Sequence, residues 1–541
     1  MKTVVLLPIP QRAELPLGDQ TETVDRLLAL CHEQREQLTL QAEQIQQLKD
    51  EIAVLKGEKP RPTIKPSGLN KSPPDRSTEG DEKPPRKRGK PSRKKTENLE
   101  IHQEQVIEPE VPLPPGTEFK GYEDYVVQEL VVELKNTRYR RACYVGSDGE
   151  RLIGDLPVAV KGSHFGPTLR RYILSQHYEQ PVPPKLLLKQ LWQWEVVISS
   201  GQLNRLLIHN HDSFHAEKAA VLRTGLEVSS HINVDDTGAR HQGRNGYCTH
   251  IGNEWFAWFS STESKSRINF LELLRAGETL YVVDEVARAY MQTQKLPQEP
   301  LALLSIDGVY ADKCAWEAHL QTLGIDNDRH IRIATEGALV GSLVSQGIDP
   351  SLVIVSDDAG QFKVAGFLNA LCWVHGERTI HKLIPGGEER RAIQAQIRGD
   401  IWTFYQDLKR YQQAPDEKTK AVLEQRFDEI FTQTTSWQTL NLALKRLHAN
   451  KTELLLVLER PEIPLHNNLS ENDIRDYVKR RKISATTRSE AGRQARDTFL
   501  SLKKTGQKLG ICFLDYLHDR ISQQHDILPL PALIRAAAQG P

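Results

Sequence analysis

The sequence predicts a multidomain α/β protein, and three patterns indicate this class. Apolar segments of strand length run directly into acidic residues at 232–238 and at 352–360. Segments with helical periodicity lie between and after them, most densely in residues 384–460. A heptad pattern occupies the N-terminal region. Because the chain has 541 residues, it is long enough for several domains and at least one large hydrophobic core.

The composition is that of an ordinary water-soluble protein. Hydrophobic residues make up 38% of the chain and charged residues 26%, and 71 basic side chains balance 71 acidic ones. No apolar run approaches the roughly 20 residues needed to cross a bilayer, and the first eight residues are too short an apolar stretch for a signal peptide. The six cysteines contain no C-x-x-C pair, which fits a reducing compartment. We therefore expect a cytoplasmic protein with no membrane partner.

Residues 1–57 are predicted to form a coiled-coil oligomerisation region. Gln34 and Gln41 occupy two d positions of the heptads, and the remaining core positions are apolar. The apolar positions are Val24, Cys31, Leu38, Ile45 and Ile52 at a, and Leu27, Leu48 and Leu55 at d. Five apolar a positions favour a homodimer or a higher oligomer, although a single amphipathic helix packed on the rest of the protein has the same pattern.

Residues 58–114 are predicted to be a disordered basic linker. Pro, Ser, Lys, Arg and Glu dominate this segment, so it cannot bury enough apolar surface to fold alone. Its cationic run at 83–95 includes Arg86, Lys87 and Arg88, which are candidates for binding DNA phosphates. The alternative is a linker that only improves solubility.

Two small modules are predicted next. Residues 115–180 form a β-containing module, with strand candidates at 125–127 and 142–145. Residues 181–228 form a segment that is helix-turn-helix-like, with short helices at 185–192 and 200–207 and with Ser199 or Ser200 as the cap between them. Gln202, Asn204 and Arg205 of the second helix are the candidates for contacts with base edges. Any helical hairpin has a similar pattern.

Acidic residues follow two of the predicted strands. Asp235 follows the apolar beginning of the strand at 232–238, and Asp357 follows the strand at 352–355. Further strands are predicted at 246–252, 255–260 and 370–375, and a helix at 267–274. Because the ends of adjacent buried strands bring side chains together, these acids are candidates for a shared site. Asp236 and Asp358 are equally placed, so the choice within each pair stays open.

A third acid begins a helix that is rich in cations. Ser470 is the predicted N-cap, with Asp473 in capping-box position, and Glu471 lies in the first turn. The cations that follow are candidates for binding DNA phosphates: Arg475, Lys479, Arg480, Arg481, Lys482 and Arg488. Two Asp from strands and one Glu from a helix suit two Mg²⁺ ions about 4 Å apart, because Mg²⁺ prefers hard oxygen ligands. Among 71 acidic residues such a trio also arises by spacing alone, so its structural context carries the prediction.

Short motifs spread along the chain match those of one known family. They are Lys-Pro-Ser-Gly-Leu-Asn-Lys at 65–71, Val-Asp-Asp-Thr at 234–237, Ser-Asp-Asp at 356–358, Cys-Trp-Val-His at 372–375, Asn-Asn-Leu-Ser-Glu at 467–471 and Thr-Arg-Ser-Glu-Ala-Gly at 487–492. With the N-terminal coiled coil, they resemble bacterial insertion-sequence DDE transposases of the TnpC type, the insertion-sequence sixty-six family. The motifs at 467–471 and 487–492 are the most specific. The family has Glu where this chain has Asp236.

The resemblance implies an RNase H-like catalytic core. This core would begin at 229–383, with extra material at about 277–350, and would be interrupted by an all-helical insertion at 384–460. Residues 461–541 would complete it with the catalytic Glu and basic C-terminal helices. Asp235, Asp357 and Glu471 would form the catalytic, metal-binding triad, and the supporting residues would be His375, Arg378, Asn467 and Asn468. The segment 372–375 would buttress the site, although Cys372 and Trp373 fit a plain core strand as well.

The resemblance also implies a function and its partners. The expected activity is metal-dependent cleavage at insertion-sequence ends and strand transfer into target double-stranded DNA, at the bacterial nucleoid and with accessory transposition proteins as further partners. Mn²⁺ would substitute for Mg²⁺. The family's zinc cluster before the helix-turn-helix has only Cys143 at its position, so no structural zinc is expected. The alternatives are a nuclease without strand transfer and a non-catalytic DNA-binding regulator derived from a transposase.

Overall fold

A computed structural model of the chain describes residues 99–114 and 116–540. The predicted coiled coil and the cations Arg86, Lys87 and Arg88 lie outside these residues. The chain divides into two units, Met1–Glu129 and Leu130–Pro541. In the first unit, residues 99–114 and 116–129 contain no helix or strand, so the prediction of a strand at 125–127 is wrong.

The second unit begins with a small β-hairpin and a group of helices. Strand β1 (Cys143–Val145) pairs with β2 (Arg151–Ile153), which confirms the strand predicted at 142–145. A 3₁₀ turn at Val158–Val160 precedes α1 (Pro167–Tyr178), α2 (Pro184–Gln193), α3 (Ser200–Ile208) and α4 (Asp212–Val228). Ser199 caps α3, because its hydroxyl accepts a hydrogen bond from the Gln202 backbone while the Gln202 side chain accepts one from the Ser199 backbone.

A six-stranded mixed sheet forms the centre of this unit. Its strands are β3 (His231–His241), β4 (Arg244–Gly252), β5 (Ala257–Thr262), β8 (Val353–Ser356), β9 (Leu368–Leu371) and β10 (Thr486–Thr487). The order is β5-β4-β3-β8-β9, with β10 paired to the far end of β3. Strand β3 is antiparallel to β4 and parallel to β8, and β8 is parallel to β9. This mixed α/β architecture is compatible with the expected RNase H-like core.

Both faces of the sheet are covered, as its continuous apolar strands predict. Ile354 of β8 belongs to the larger hydrophobic core, whereas its neighbours Val353 and Val355 belong to a second core on the opposite face. All three side chains are fully buried. Strand β8 therefore separates two cores, and the acids at its end lie where the two meet.

The chain between β5 and β8 adds a helical subassembly to the larger core. It contains α5 (Arg267–Leu274), β6 (Tyr281–Val283), α6 (Glu285–Thr293), α7 (Gln298–Leu303), β7 (Gly308–Tyr310), α8 (Lys313–Thr322) and α9 (Asp328–Ser345). A side chain at Gly341 would collide with the Val282 carbonyl oxygen, so glycine lets α9 lie against β6. The predicted helix at 267–274 is confirmed.

The second core is built largely from the helices after β9. They are α10 (Trp373–His381), α11 (Glu388–Gln413), α12 (Glu417–Phe431), α13 (Gln438–Ala449) and α14 (Lys451–Leu454), followed by a 3₁₀ turn at Leu456–Leu458. Phe404, Tyr405, Leu408 and Tyr411 of α11 are buried in this core. Residues 384–460 are thus predominantly helical, as predicted, and their aromatic stripe is used for packing.

The C-terminal helices close the sheet. They are α15 (Asn468–Ser484), α16 (Glu490–Lys508), α17 (Phe513–Ser522) and α18 (Leu530–Ala538). Three side chains of α16 accept hydrogen bonds from edge-strand amides of β5: Thr505 from Ala257, Ser501 from Phe259 and Asp497 from Ser261. Four-residue spacing on the helix matches two-residue spacing on the strand, so α16 satisfies the free edge of the sheet. In the described part of the chain, no helix is long and apolar enough to span a bilayer.

The stability of the fold should decrease as the pH falls below neutral, in part through His211. Burial among Leu206, Phe214 and Phe499 lowers the pKa of His211 to about 4. An unfolded histidine takes up its proton near pH 6.5, so acid favours the unfolded chain between about pH 6.5 and 4, at a cost of about 2 kcal/mol between pH 7 and pH 5. The change His211→Gln should make the free energy of unfolding, measured with denaturant, less pH-dependent by that amount. An unchanged slope would contradict this role.

Candidate active site at the ends of parallel strands

The register of the sheet places Asp235 beside Asp357. Strands β3 and β8 pair Ile232 with Ile354 and Asn233 with Val355. Two residues further along the chain lie Asp235, which is within β3, and Asp357, which directly follows β8, so the two acids occupy equivalent register positions on neighbouring parallel strands. Because side chains alternate along a strand, both acids follow the face of the second core.

Helix α15 is attached to the same place by Asn467. The side chain of Asn467 is fully buried; it accepts a hydrogen bond from the Asn233 amide (2.9 Å) and donates one to the Val234 carbonyl oxygen (2.8 Å). Its backbone N–H donates to Cys372 Sγ at 3.2 Å. These bonds fix the start of α15 against β3 directly before Asp235.

Glu471 lies in the first turn of α15, one turn after Asn467. Its Oε1 atom is 3.5 Å from His375 Nε2 and 4.0 Å from Arg378 Nη1, and it accepts no hydrogen bond from the residues that the structure describes. The helix begins at Asn468, so Ser470 lies inside it and the predicted capping by Ser470 is wrong. The Asn468 side chain is exposed. The Ser470 hydroxyl instead bonds His250 Nδ1 at 2.6 Å, because it faces the sheet from within the helix.

The segment 372–375 joins the strand ends to α15. The Cys372 N–H donates to Ser356 O (2.9 Å), and the Trp373 N–H donates to Leu465 O (3.0 Å). The strand predicted at 370–375 ends at Leu371, and α10 begins at Trp373, which turns His375 toward Glu471. The segment thus braces the site.

The acidic neighbours of Asp235 and Asp357 are neutralised by other groups. Asp236 accepts a hydrogen bond from Gln361 (2.6 Å) and lies 3.4 Å from Lys265 Nζ. Asp358 is paired with Lys363 (2.7 Å) and with Arg446 of α13, whose Nε lies 3.0 Å away. The ambiguity within each acidic pair is thereby reduced, because Asp236 and Asp358 are already engaged with the scaffold.

Asp235 carries the electrostatic signature of a crowded acidic site. Burial is the largest cause that raises its pKa, and the carboxylates of Asp357, Asp236 and Glu471 raise it further, to about 7, against a hydrogen bond from the Asp236 N–H. A divalent cation would relieve both effects, and carboxylate oxygens are the ligands that Mg²⁺ prefers. Among residues 99–114 and 116–540, however, no three His, Cys, Asp or Glu side chains are arranged to hold a metal ion. The donor set suits Mg²⁺, and binding requires the three side chains to close together.

Several predicted DNA-contacting residues are engaged inside the protein. Arg480 is buried over the Tyr178 ring and donates to His177 O at 2.6 Å, so its prediction as a surface contact is corrected. Arg481 donates to Gly238 O and Thr237 Oγ1, and Gln202 is held in the cap of α3. The remaining candidates are exposed: Asn204, Arg205, Arg475, Lys479, Lys482 and Arg488.

Sequence reasoning missed one residue that contacts the site, His250. It is the cross-strand partner of Asp235 in the β3–β4 hairpin. The tight turn at Gln242 and Gly243, both with positive φ, could have revealed it. A two-residue turn there sets the register that pairs Asp235 with His250.

Comparison with known proteins identifies the class to which this core belongs. A family model described as the transposase IS66 family matches residues 334–495, a segment that contains Asp357, the 372–375 motif and Glu471. The chain belongs to the IS66 family of transposases. A curated relative, the uncharacterized protein y4jO of Sinorhizobium fredii (strain NBRC 101917 / NGR234), is 42% identical over 324 residues, which is 59% of this chain and 100% of the relative.

Asn467 should be needed for stability and for the placement of Glu471. The change Asn467→Ala leaves the buried Asn233 amide and Val234 carbonyl without partners, at a cost of about 1–3 kcal/mol. Asn467→Asp keeps the acceptor for Asn233 but places a buried carboxylate against the Val234 carbonyl oxygen. Denaturant unfolding should therefore place both variants below the wild type. Exposed Asn468→Ala is the matched control and should leave the free energy of unfolding within about 0.5 kcal/mol.

Proposed function

We propose that this chain is a DNA transposase that cleaves phosphodiester bonds at insertion-sequence ends and transfers the freed 3′ ends into target DNA. Asp235, Asp357 and Glu471 are its catalytic acids, and they hold divalent cations, Mg²⁺ or Mn²⁺. The observation that carries the proposal is the shared register of Asp235 and Asp357, together with the anchoring of the Glu471 helix at the same strand ends by Asn467.

Among the residues that the structure describes, Asp235 and Asp357 form no ion pair with a cationic side chain, whereas Asp236 and Asp358 do. Glu471 contacts His375 and Arg378 at 3.5 and 4.0 Å, and burial, together with the acidic neighbours, raises the pKa of Asp235. Divalent cations, when bound, would activate the attacking hydroxyl and stabilise the leaving oxygen. Asp235 and Asp357 would hold the cations from the strands, and Glu471 would hold them from the helix. His375 and Arg378 orient the Glu471 carboxylate.

The DNA backbone follows the exposed cations of α15 and the segment after it. Arg475, Lys479, Lys482 and Arg488 are free to face solvent, whereas Arg480 and Arg481 hold α15 to its neighbours. The heptads at 22–56 mediate oligomerisation. The helix-turn-helix-like segment at 181–228 recognises the DNA sequence at the insertion-sequence ends. No structural zinc is part of this proposal.

Glu471→Gln should abolish cleavage and leave binding to end DNA nearly unchanged. Glutamine keeps the size of the side chain but removes the negative charge that binds a cation, so a rate loss of at least about 10³-fold is expected. A Mg²⁺-dependent nicking assay and a gel-shift assay measure the two properties. Glu417→Gln changes a first-turn glutamate of α12 in the same way and is the control. Cleavage by Glu471→Gln at the wild-type rate would disprove the assignment.

A pre-cut end separates a transposase from a nuclease. DNA that already carries the free 3′-hydroxyl at an insertion-sequence end should be joined to a second duplex in Mg²⁺ or Mn²⁺, and strand-transfer products on a denaturing gel report the joining. Hydrolysis without joined product would favour the nuclease. Binding without nicking in either metal would favour a non-catalytic regulator.

The exposed cations should set the salt dependence of DNA binding. Each phosphate contact adds about 0.9 to the slope of log affinity against log salt, so the double change Lys479→Ala and Lys482→Ala should lower the slope by about 2. Affinity measured between about 50 and 200 mM salt gives the slope. Lys313→Ala, an exposed lysine of α8, should leave it unchanged. An equal effect of both variants would exclude α15 as the DNA-binding surface.

A further inference from the structure

His250 lies between the two halves of the candidate site. Its backbone is paired with Asp235 across the β3–β4 hairpin, and cross-strand partners project from the same face of a sheet. Its imidazole is fully buried beside the Phe259 ring. His250 therefore starts from the position next to Asp235 and extends under α15.

The imidazole contacts both residues that flank Glu471 on the inner face of α15. His250 Nδ1 lies 2.6 Å from Ser470 Oγ, and His250 Nε2 lies 3.2 Å from Asp473 Oδ2. Ser470 precedes Glu471 directly, and Asp473 follows it by two residues. A neutral imidazole has one donor and one acceptor nitrogen, which matches a carboxylate on one side and a hydroxyl on the other.

The second contact is fixed from behind by α16. Asp473 Oδ2 is 3.0 Å from Lys508 Nζ, and Asp473 Oδ1 is 3.7 Å from Lys504 Nζ. These two ammonium groups compensate the charge of the buried Asp473 carboxylate while it remains in contact with the imidazole. The chain of contacts runs from α16 through Asp473 and His250 to Ser470.

The arrangement of Ser470, His250 and Asp473 is not suited to nucleophilic catalysis. Ser470 and His250 have no solvent exposure, so no substrate reaches the hydroxyl. Ser470 and Asp473 therefore act through the start of α15, which carries them, and His250 holds that part of the helix to β4.

We propose that His250 is a positioning residue that fixes the Glu471 carboxylate relative to Asp235, by holding the helix turn on both sides of Glu471 from the strand that pairs with Asp235. This inference rests on the proposed function, because His250 is here the residue that sets how closely Glu471 approaches the cation site. Asn467 fixes where α15 starts, and His250 fixes the rotation of its first turn.

Three replacements of His250 separate its two contacts. His250→Phe keeps the ring and loses both contacts, His250→Asn keeps a polar group where Nδ1 meets Ser470, and His250→Gln keeps one where Nε2 meets Asp473. Ser470→Ala removes the first contact from the other side with little change in volume. His215→Phe is the matched control, because His215 Nδ1 also bonds a hydroxyl, that of Thr498, at 2.8 Å.

The first readout is the metal dependence of end cleavage. His250→Phe should raise the half-saturating Mn²⁺ concentration about 10–100-fold, as loss of a supporting contact behind a metal ligand does. The KM for end DNA should stay within about twofold, and Asn or Gln should restore part of the metal affinity. An equal loss in His215→Phe, or no difference between Phe, Asn and Gln, would show that His250 contributes only to stability.

The second readout does not use activity. Fe²⁺ with ascorbate and peroxide cuts the backbone near bound metal, and mass spectrometry of the fragments locates the cuts. The wild type should be cut near 235, 357 and 471, and His250→Phe should lose the cut near 471 while keeping the other two. Cuts at all three positions in His250→Phe would overturn the role of His250 and leave the proposed function standing. A wild type without cuts at these positions would overturn the proposed function, and the inference with it.

Discussion

The hydrogen bonds of one buried asparagine are the constraint on which the site depends. Asn467 couples a residue at the start of α15 to the Asn233 side chain and the Val234 carbonyl of β3, across more than 230 positions of sequence. All the partners are buried, so breaking any bond leaves a polar group without water. Because Asp235 follows Val234 and Glu471 lies one turn beyond Asn467, this single attachment brings two distant acids to one place.

The helical segment after β9 serves the same site from the other direction. Arg446 of α13 holds Asp358, and the Trp373 indole donates to Leu454 O at 2.9 Å. The helices at 388–454 thus contact both Asp358, which follows β8, and Trp373, which follows β9. These helices stabilise the loops of the core through such contacts. Their aromatic side chains are buried because they form the second core.

Local sequence patterns located five strands of the central sheet and several of the helices. The apolar run before Asp357 and the alternation before Asp235 depend on neighbouring residues only, and these elements formed as predicted. The errors concern side chains whose partners are far away in sequence. Ser470 has a normal capping side chain, yet its partner is His250, 220 positions earlier.

The helical periodicity of α15 places Arg480 on its buried face. Ile474, Tyr477 and Arg480 follow helical spacing, so the buried stripe of α15 passes through the arginine. Composition alone counted Arg480 with the surface cations, whereas the periodicity of the helix places it on the inner face. Its partner Tyr178, on α1, could not be identified from α15 itself.

Charge compensation distinguishes the two neighbouring acids of each motif. Asp236 and Asp358 have cationic partners from the scaffold, so a bound cation would compete with Lys265 or Arg446 for them. Asp235 has acidic neighbours instead, and these add to burial in raising its pKa. The electrostatic surroundings of Asp235 and Asp236 therefore differ through the partners of each. The sequence shows only two adjacent aspartates, because those partners come from α13, from the loop after β8 and from the segment after β5.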